Sequence, residues 1–182
     1  MTDLTSVALT TIDGKPASLA DYAGQVLLVV NVASRCGLTP QYAGLEALNR
    51  KYKEEGLAVL GFPANDFAGQ EPADEAEIAE FCRNSYDVTF PMFAKVKVTG
   101  TDKHPLFAAL TAALPTATGT GTMRARLEGK GFPVRPEPEL LWNFEKFVIG
   151  RDGTPVARFQ PDTAPDDPQL IQVIEKELFA SE

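Results

Sequence analysis

Cys36 is the residue of this sequence best placed to act as a nucleophile. It follows a run of mostly apolar residues, Gln25 to Val32, and precedes a helical pattern that starts near Tyr42. At such a junction, backbone N–H groups and the helix dipole stabilise a thiolate, and Arg35 adds a cation next door. The alternative for a cysteine in this position is a buried thiol that only fills space in the core.

Cys82 is the other cysteine of the chain. A C-x-x-C reductase carries its second cysteine three positions after the first, where this chain has Thr39, so that kind of dithiol exchange is excluded. An oxidised Cys36 must therefore react with an external thiol or with a remote one such as Cys82. Two cysteines are too few for a disulfide framework, and any bridge between them would be transient and chemical.

Length, composition and charge narrow the class of protein. A chain of 182 residues with 44% hydrophobic and 23% charged residues predicts one domain, spanning 1–182. A net charge of −8 argues against nucleic acid and anionic membranes as partners, because surfaces of the same sign repel. The N-terminus has no export signal, and no apolar stretch is long enough for a membrane anchor, so we expect a cytoplasmic location.

Strand and helix patterns alternate along the chain. An Asp13-Gly14 turn predicts an N-terminal β-hairpin. Two buried strands, 25–32 and 57–62, flank a helix that ends at Gly56, which predicts a parallel βαβ unit with a right-handed crossover. Further patterns predict helices after Asp74, after His104-Pro105 and around 170–178, and a hairpin of 144–149 with 155–159. This order predicts an α/β, thioredoxin-like fold with a central mixed sheet flanked by helices.

One segment does not fit the alternation. Residues 114–141 are rich in Thr, Gly, Pro and charged residues, with a short helix at most near 123–128. Neither flank could close a core alone, so we interpret the segment as a surface insertion within the one domain.

Three motifs resemble the glutathione peroxidase family, in order and with suitable spacing. They are NVASRCGLTPQYAGL at 31–45, GFPANDFAGQEP at 61–72 and WNFEKF at 142–147. The resemblance extends from the first hairpin to the last helix. It implies an antioxidant peroxidase that reduces hydrogen peroxide or organic hydroperoxides with a redox-active cysteine and an external thiol, and with no metal or other cofactor.

The resemblance also assigns residues to the site. Cys36 takes the peroxidatic position, with Trp142 and Asn143 as its polar neighbours. An indole N–H and an amide NH₂ can both donate to a thiolate or a peroxide oxygen, and so stabilise charge where it develops. Cys82 matches the resolving cysteine of the family's two-cysteine members, which resemble thioredoxin-dependent peroxidases more than glutathione-dependent ones; a packed core cysteine is the alternative. A Cys36–Cys82 disulfide requires the two Cα atoms to come within roughly 7 Å, and local unwinding of the helix that carries Cys82 is one way to bring them together.

Asp66 departs from the family pattern, which we take to place a glutamine at this position. An ionised aspartate only accepts hydrogen bonds, and its charge would disfavour a nearby thiolate. Asp66 therefore points away from Cys36, is protonated, or accepts a proton from the thiol or the peroxide; a solvated loop or cap role is equally open. The insertion at 114–141 matches neither the compact monomeric members nor the tetrameric ones, and we expect a monomer or weak dimer.

A redox relay, in which Cys36 is oxidised by peroxide and passes the oxidation to a partner protein, is the first alternative to the peroxidase. A thioredoxin-fold binding module with no redox role is the second, and it requires that Cys36→Ser leave the function intact. His104 is the only histidine, so a histidine-based metal cluster is excluded, and we expect His104 at a helix start or on the surface.

Overall fold

The computed structural model describes residues 3–180 of the chain. Its strands are β1 (Leu9–Thr10), β2 (Pro16–Ala17), β3 (Val26–Val32), β4 (Leu57–Pro63), β5 (Lys146–Ile149) and β6 (Pro155–Phe159). Its α-helices are α1 (Gln41–Tyr52), α2 (Glu75–Tyr86), α3 (Pro105–Ala113), α4 (Thr122–Gly129) and α5 (Pro168–Phe179). No helix in this range is long and apolar enough to cross a membrane.

A four-stranded mixed sheet lies at the centre, in the order β4-β3-β5-β6. β3 pairs with β4 in parallel and with β5 antiparallel, and β5 pairs with β6 antiparallel. β1 and β2 form a separate antiparallel pair. This topology confirms the predicted α/β thioredoxin-like fold with a mixed sheet and an N-terminal hairpin, although the hairpin strands are only two residues long.

The two central strands and the helix between them follow from the apolar pattern. All seven residues of β3 and all seven of β4 are buried, as continuous β-branched and apolar runs predict for strands covered on both faces. α1 packs against β4 through its apolar face. A short 3₁₀ turn follows α1, and the chain then reverses at Gly56, whose φ of 108° is a conformation that favours glycine.

The insertion at 114–141 is joined to the sheet through Arg158, which is also half of a buried ion pair. Arg158 on β6 bonds the carboxylate of Glu145 just before β5, and both side chains are buried. The same guanidinium donates to the backbone oxygens of Leu114 and Glu139, which lie near the two ends of the insertion. Both ends of the insertion are therefore anchored to a buried side chain of the sheet.

Candidate active site

Cys36 lies in a loop of successive tight turns between β3 and α1. Its thiol is nearly buried, with 9% of the residue exposed, and the backbone N–H of Leu38 points at the sulfur at 3.3 Å. The sequence predicts that the first turn of the following helix supplies N–H groups to the sulfur. In the structure α1 begins only at Gln41, so the Leu38 N–H belongs to the loop before the helix. A donor fixed at this distance can stabilise negative charge on the sulfur.

Thr39 holds this loop in shape. Its buried hydroxyl accepts a hydrogen bond of 2.9 Å from the Cys36 N–H and donates one of 2.8 Å to the carbonyl of Ala33. The backbone N–H of Thr39 in turn donates to the Cys36 carbonyl at 3.1 Å. The position that a C-x-x-C reductase gives to its second cysteine therefore supports the backbone of Cys36 here.

Cys36 opens into a cavity of about 300 Å³. Its lining is part apolar and part cationic, and the residues come from the Cys36 loop, the loop after β4, the insertion and the loop before β5: Cys36, Gly37, Leu38, Gln70, Met123, Arg126, Leu127, Lys130, Phe132 and Trp142. The cavity thus offers a thiol at one side, room for a small organic molecule and two positive charges from α4 and its C-terminal cap.

Trp142 and Asn143 are positioned by the end of β3. The amide nitrogen of Asn31 donates to the Trp142 carbonyl at 3.1 Å, and its amide oxygen accepts from the Glu145 N–H at 3.0 Å. Between these bonds the chain turns through Phe144, whose φ of 70° delays the start of β5. The predicted strand 144–149 is therefore shorter in the structure, and the loop that carries Trp142 and Asn143 is fixed against the strand that leads to Cys36.

The Trp142 ring forms one wall of the cavity. It packs against Phe67 and Phe132, with ring centroids 5.3 and 5.0 Å away, and only 3% of the residue is exposed. Asn143 is fully buried and does not line the cavity. Its amide nitrogen donates to the side-chain oxygen of Gln70 at 2.9 Å, so the structure connects Asn143 to the cavity through Gln70.

Gln70 is a further residue of the site, beyond those that the sequence motifs assign to it. Its oxygen is engaged by Asn143, which leaves its NH₂ group as the donor on the side of the cavity. Its backbone oxygen also accepts from the Arg35 N–H at 3.0 Å, which holds the two loops together. The sequence does contain a signal for it, because Gln70 is the tenth residue of the GFPANDFAGQEP motif.

Asp66 points away from Cys36, which was one of the three possibilities left open for it. Its carboxylate accepts from the backbone N–H groups of Val98 and Thr99 and from the Thr99 hydroxyl, at 2.8 to 3.3 Å. It does not line the Cys36 cavity. Asp66 therefore fixes the loop at 98–99, and the amide residue that lines the Cys36 cavity is Gln70.

The two cations that line the cavity come from the insertion. Arg35 is exposed and does not line the cavity, although it adjoins Cys36 in sequence. Arg126 and Lys130 line it instead, and Met123 and Leu127 of the same segment are buried there. The basic residues of the insertion were visible in the sequence, but nothing in their pattern indicated that α4 covers the thiol.

Cys82 lies in the middle of α2, outside the cavity that contains Cys36. It is 2% exposed, and both cysteines are free. Burial raises the pKa of the Cys82 thiol to about 11, the nearby Tyr42 hydroxyl acts to lower it, and the Glu71 carboxylate acts to raise it further. Cys82 is thus held as a neutral thiol at physiological pH.

His104 caps a helix, in agreement with its expected place. Its Nδ1 accepts a hydrogen bond of 3.1 Å from the N–H of Leu106 in the first turn of α3. Burial lowers the pKa of its imidazole. Across residues 3–180 no group of three or more His, Cys, Asp or Glu side chains is arranged to hold a metal ion.

Comparison with known proteins gives consistent matches. The family model described as glutathione peroxidase matches residues 4–111. The Escherichia coli (strain K12) protein named thioredoxin/glutathione peroxidase BtuE is 48% identical over 170 residues, which is 92% of either chain. A Synechocystis protein named hydroperoxy fatty acid reductase gpx1 is 45% identical over 86% of this chain and 85% of its own. The crystal structure of T. cruzi GPX1 superposes with a TM-score of 0.67 at 32% identity and covers 97% of both chains.

Proposed function

The chain belongs to the glutathione peroxidase family, and we propose that it reduces hydroperoxides with Cys36 as the nucleophile, Cys82 as the resolving thiol and thioredoxin as the reductant. It is a thiol peroxidase of the oxidoreductase class. The observation that supports the assignment of Cys36 is its cavity: the Leu38 N–H lies 3.3 Å from the sulfur, and Gln70 and Trp142 line the same cavity.

The first step is the transfer of one oxygen atom from the peroxide to Cys36. The Cys36 thiolate attacks the terminal oxygen, the S–O bond forms and the O–O bond breaks, and the departing alkoxide or hydroxide takes a proton to leave as alcohol or water. Charge passes from sulfur to the leaving oxygen during this step. The Leu38 N–H and the Gln70 NH₂ supply donors on the side of the cavity where that charge moves.

The second step converts the Cys36 sulfenic acid into a disulfide with Cys82. Because Cys82 lies on α2 and outside the Cys36 cavity, α2 has to unwind around it. α2 is suited to this, since Ile78 and Cys82 are its only buried residues. A helix with few buried residues has a low free energy of local unfolding. Thioredoxin then reduces the disulfide by thiol exchange.

The proposed cycle bears on the cofactors, the cellular location and the reductant of the protein. The oxidising equivalents come from the peroxide and the electrons from thioredoxin, so the reaction calls for no metal and no prosthetic group. Two free cysteines suit the reducing conditions of the cytoplasm, where we place the protein. The E. coli relative, named for both thioredoxin and glutathione, supports a thiol reductant. We propose a monomer or weak dimer.

The redox relay is not favoured. Relatives that match most of this chain are named as a peroxidase and as a hydroperoxy fatty acid reductase, names that describe turnover of peroxides. The apolar walls of the cavity can accommodate the carbon chain of an organic hydroperoxide, so we propose both organic hydroperoxides and hydrogen peroxide as substrates.

Peroxide-dependent consumption of NADPH, coupled through thioredoxin and its reductase, tests the proposed function. Cys36→Ser should abolish turnover while the thermal unfolding temperature changes little. Cys82→Ser should consume one equivalent of peroxide and then turn over poorly with thioredoxin. Full activity of Cys36→Ser would refute the assignment of the nucleophile, and full thioredoxin-dependent activity of Cys82→Ser would refute the resolving role.

A further inference from the structure

Much of the wall of the Cys36 cavity comes from α4 and its C-terminal cap. Met123, Arg126 and Leu127 of the helix line the cavity, as does Lys130. α4 is eight residues long, and Met123 and Leu127 are its only buried residues. A helix of this length is not stable by itself in water, so contacts with the rest of the molecule have to keep it against the cavity.

Gln160, directly after β6, holds the start of α4. Its Oε1 accepts a hydrogen bond of 3.1 Å from the backbone N–H of Gly121, the N-cap residue of the helix. Its backbone N–H donates to the Thr118 carbonyl at 2.9 Å. Gly119 lies directly against the Gln160 side chain, since a Cβ added at Gly119 would lie 2.6 Å from the Gln160 Cδ. The chain that enters α4 therefore fits closely against Gln160.

Pro161 connects this contact to the part of the chain that carries Cys36. Its carbonyl accepts from the Nζ of Lys146 on β5 and from the Nε2 of Gln41, at 2.9 Å in both cases. Gln41 is the first residue of α1, and the Cys36 loop leads directly into that helix. Gln160 thus belongs to a segment that is fixed to β5 and α1, and its side chain fixes the start of α4 relative to the thiol.

A second contact from the same segment to α4 is weaker. Asp162 forms an ion pair with Arg126 at 3.5 Å, and 57% of the Arg126 side chain is exposed. Solvent and salt screen a pair of this kind, so it contributes little to stability. The hydrogen bond from Gly121 to Gln160 is the stronger of the two contacts.

We propose that Gln160 is a positioning residue that sets how well the enzyme uses organic hydroperoxides relative to hydrogen peroxide, because it holds α4 against the Cys36 cavity. This role rests on the peroxidase activity proposed above for Cys36. Hydrogen peroxide is small, and the Cys36 loop and Gln70 accommodate it. The carbon chain of an organic hydroperoxide extends further and buries apolar surface against Met123 and Leu127.

Gln160→Ala tests the role with cumene hydroperoxide and hydrogen peroxide as substrates, in the NADPH assay coupled through thioredoxin and its reductase. The variant removes the acceptor of the Gly121 N–H and keeps the backbone pairing with Thr118. kcat/KM for cumene hydroperoxide should fall by about three- to fivefold, a change that the loss of one hydrogen bond can cause. kcat/KM for hydrogen peroxide should stay at the wild-type value. Damage to the fold as a whole would lower both values together.

Gln160→Glu is the matched control, because the carboxylate keeps an oxygen that accepts from Gly121, and it should retain the wild-type ratio of the two values. Gly119→Ala displaces the Gln160 side chain without removing it, so it should reproduce the loss with cumene hydroperoxide. The double variant Gly119→Ala, Gln160→Ala should lose no more than Gln160→Ala alone, since the two changes break the same contact.

A wild-type ratio in Gln160→Ala, an equal fall with both substrates, or additive losses in the double variant would overturn the proposal. If Gln160→Ala does not fold, Gly119→Ala decides by the same ratio. Failure of the proposed function itself is distinct, since wild type would then show no turnover that depends on Cys36 with either substrate.

Discussion

The side-chain oxygen of Gln70 accepts a hydrogen bond of 2.9 Å from the amide nitrogen of Asn143. This bond joins the loop after β4 to the loop before β5, beside the loop that carries Cys36. It also fixes the orientation of the Gln70 amide, because an oxygen engaged by a donor leaves the NH₂ group free to donate elsewhere. Asn143 thus positions a donor that belongs to another residue.

Gln70→Glu should slow the oxidation of Cys36 by about 10²–10³-fold, the usual loss when one preorganised donor is removed. The carboxylate still accepts from Asn143 but has no proton to donate, and its charge opposes a thiolate nearby. Asn143→Ala should slow the same step, because Gln70 loses its orienting partner. Trapping of the sulfenic acid at successive times in a quenched-flow instrument measures the rate of Cys36 oxidation.

Gln169→Glu, an exposed change of the same kind on α5, serves as the control and should leave the rate unchanged. Oxidation at the wild-type rate in Gln70→Glu would show that the Gln70 amide does not act on the peroxide or the sulfur.

Arg126 and Lys130 should favour hydroperoxides that carry a negative charge, since both line the cavity of Cys36. The double variant Arg126→Gln, Lys130→Gln should lower kcat/KM for a fatty acid hydroperoxide by about tenfold. This is the loss expected when two partly solvated ion pairs between the substrate carboxylate and the protein are removed. It should leave kcat/KM for the neutral cumene hydroperoxide unchanged. The ratio of the two values, measured at low and high salt, separates charge from packing.

Arg124→Gln is the matched control, because Arg124 lies on α4 but outside the cavity lining. An equal loss with both substrates, or the same loss in the control, would mean that the two cations only support the fold of the insertion.

The sequence predicts the fold better than the site. The strands β3 and β4 are fully buried, so their apolar runs carry an unambiguous signal, and Gly56 marks the end of the helical segment between them. The site depends on which side chains meet across loops. Arg35 adjoins Cys36 in sequence and yet is exposed, whereas Lys130 lines its cavity from far along the chain.

Asp66 and Gln70 illustrate the same limit within a single motif. Both are polar residues of the loop after β4, and residue type alone does not decide which one faces the thiol. The orientation of each side chain depends on partners that are distant from it in sequence. These partners are the backbone N–H groups at 98–99 for Asp66 and the Asn143 amide for Gln70.

Lys146 should make the free energy of unfolding depend on pH. It is fully buried on β5 and donates to the carbonyls of Phe144 and Pro161, and burial lowers its pKa to about 7, against the opposing effects of Glu145 and Asp162. Between that value and its ordinary 10.5, the unfolded chain binds a proton that the folded protein does not. Stability contributed by this group therefore rises with pH in this window, by at most about 1.4 kcal/mol per pH unit.

Urea unfolding of Lys146→Met and wild type at pH 7.5, 8.5 and 9.5 measures this effect. The variant should lose stability relative to wild type as the pH rises. Lys15→Met, at an exposed lysine, should show no such trend. A difference between Lys146→Met and wild type that is the same at all three pH values would show that Lys146 stays charged in the folded protein.

Trp142 is the only tryptophan of the chain, and it lines the cavity that holds Cys36. With excitation at the red edge of the absorption band, which the tyrosines do not share, the tryptophan emission of the protein therefore reports on the wall of the Cys36 cavity alone. Formation of the sulfenic acid and unwinding of α2 should each change the emission, at different times after mixing. The protein thus carries a built-in optical reporter, with which successive steps of its cycle can be timed in a stopped-flow instrument without any attached dye.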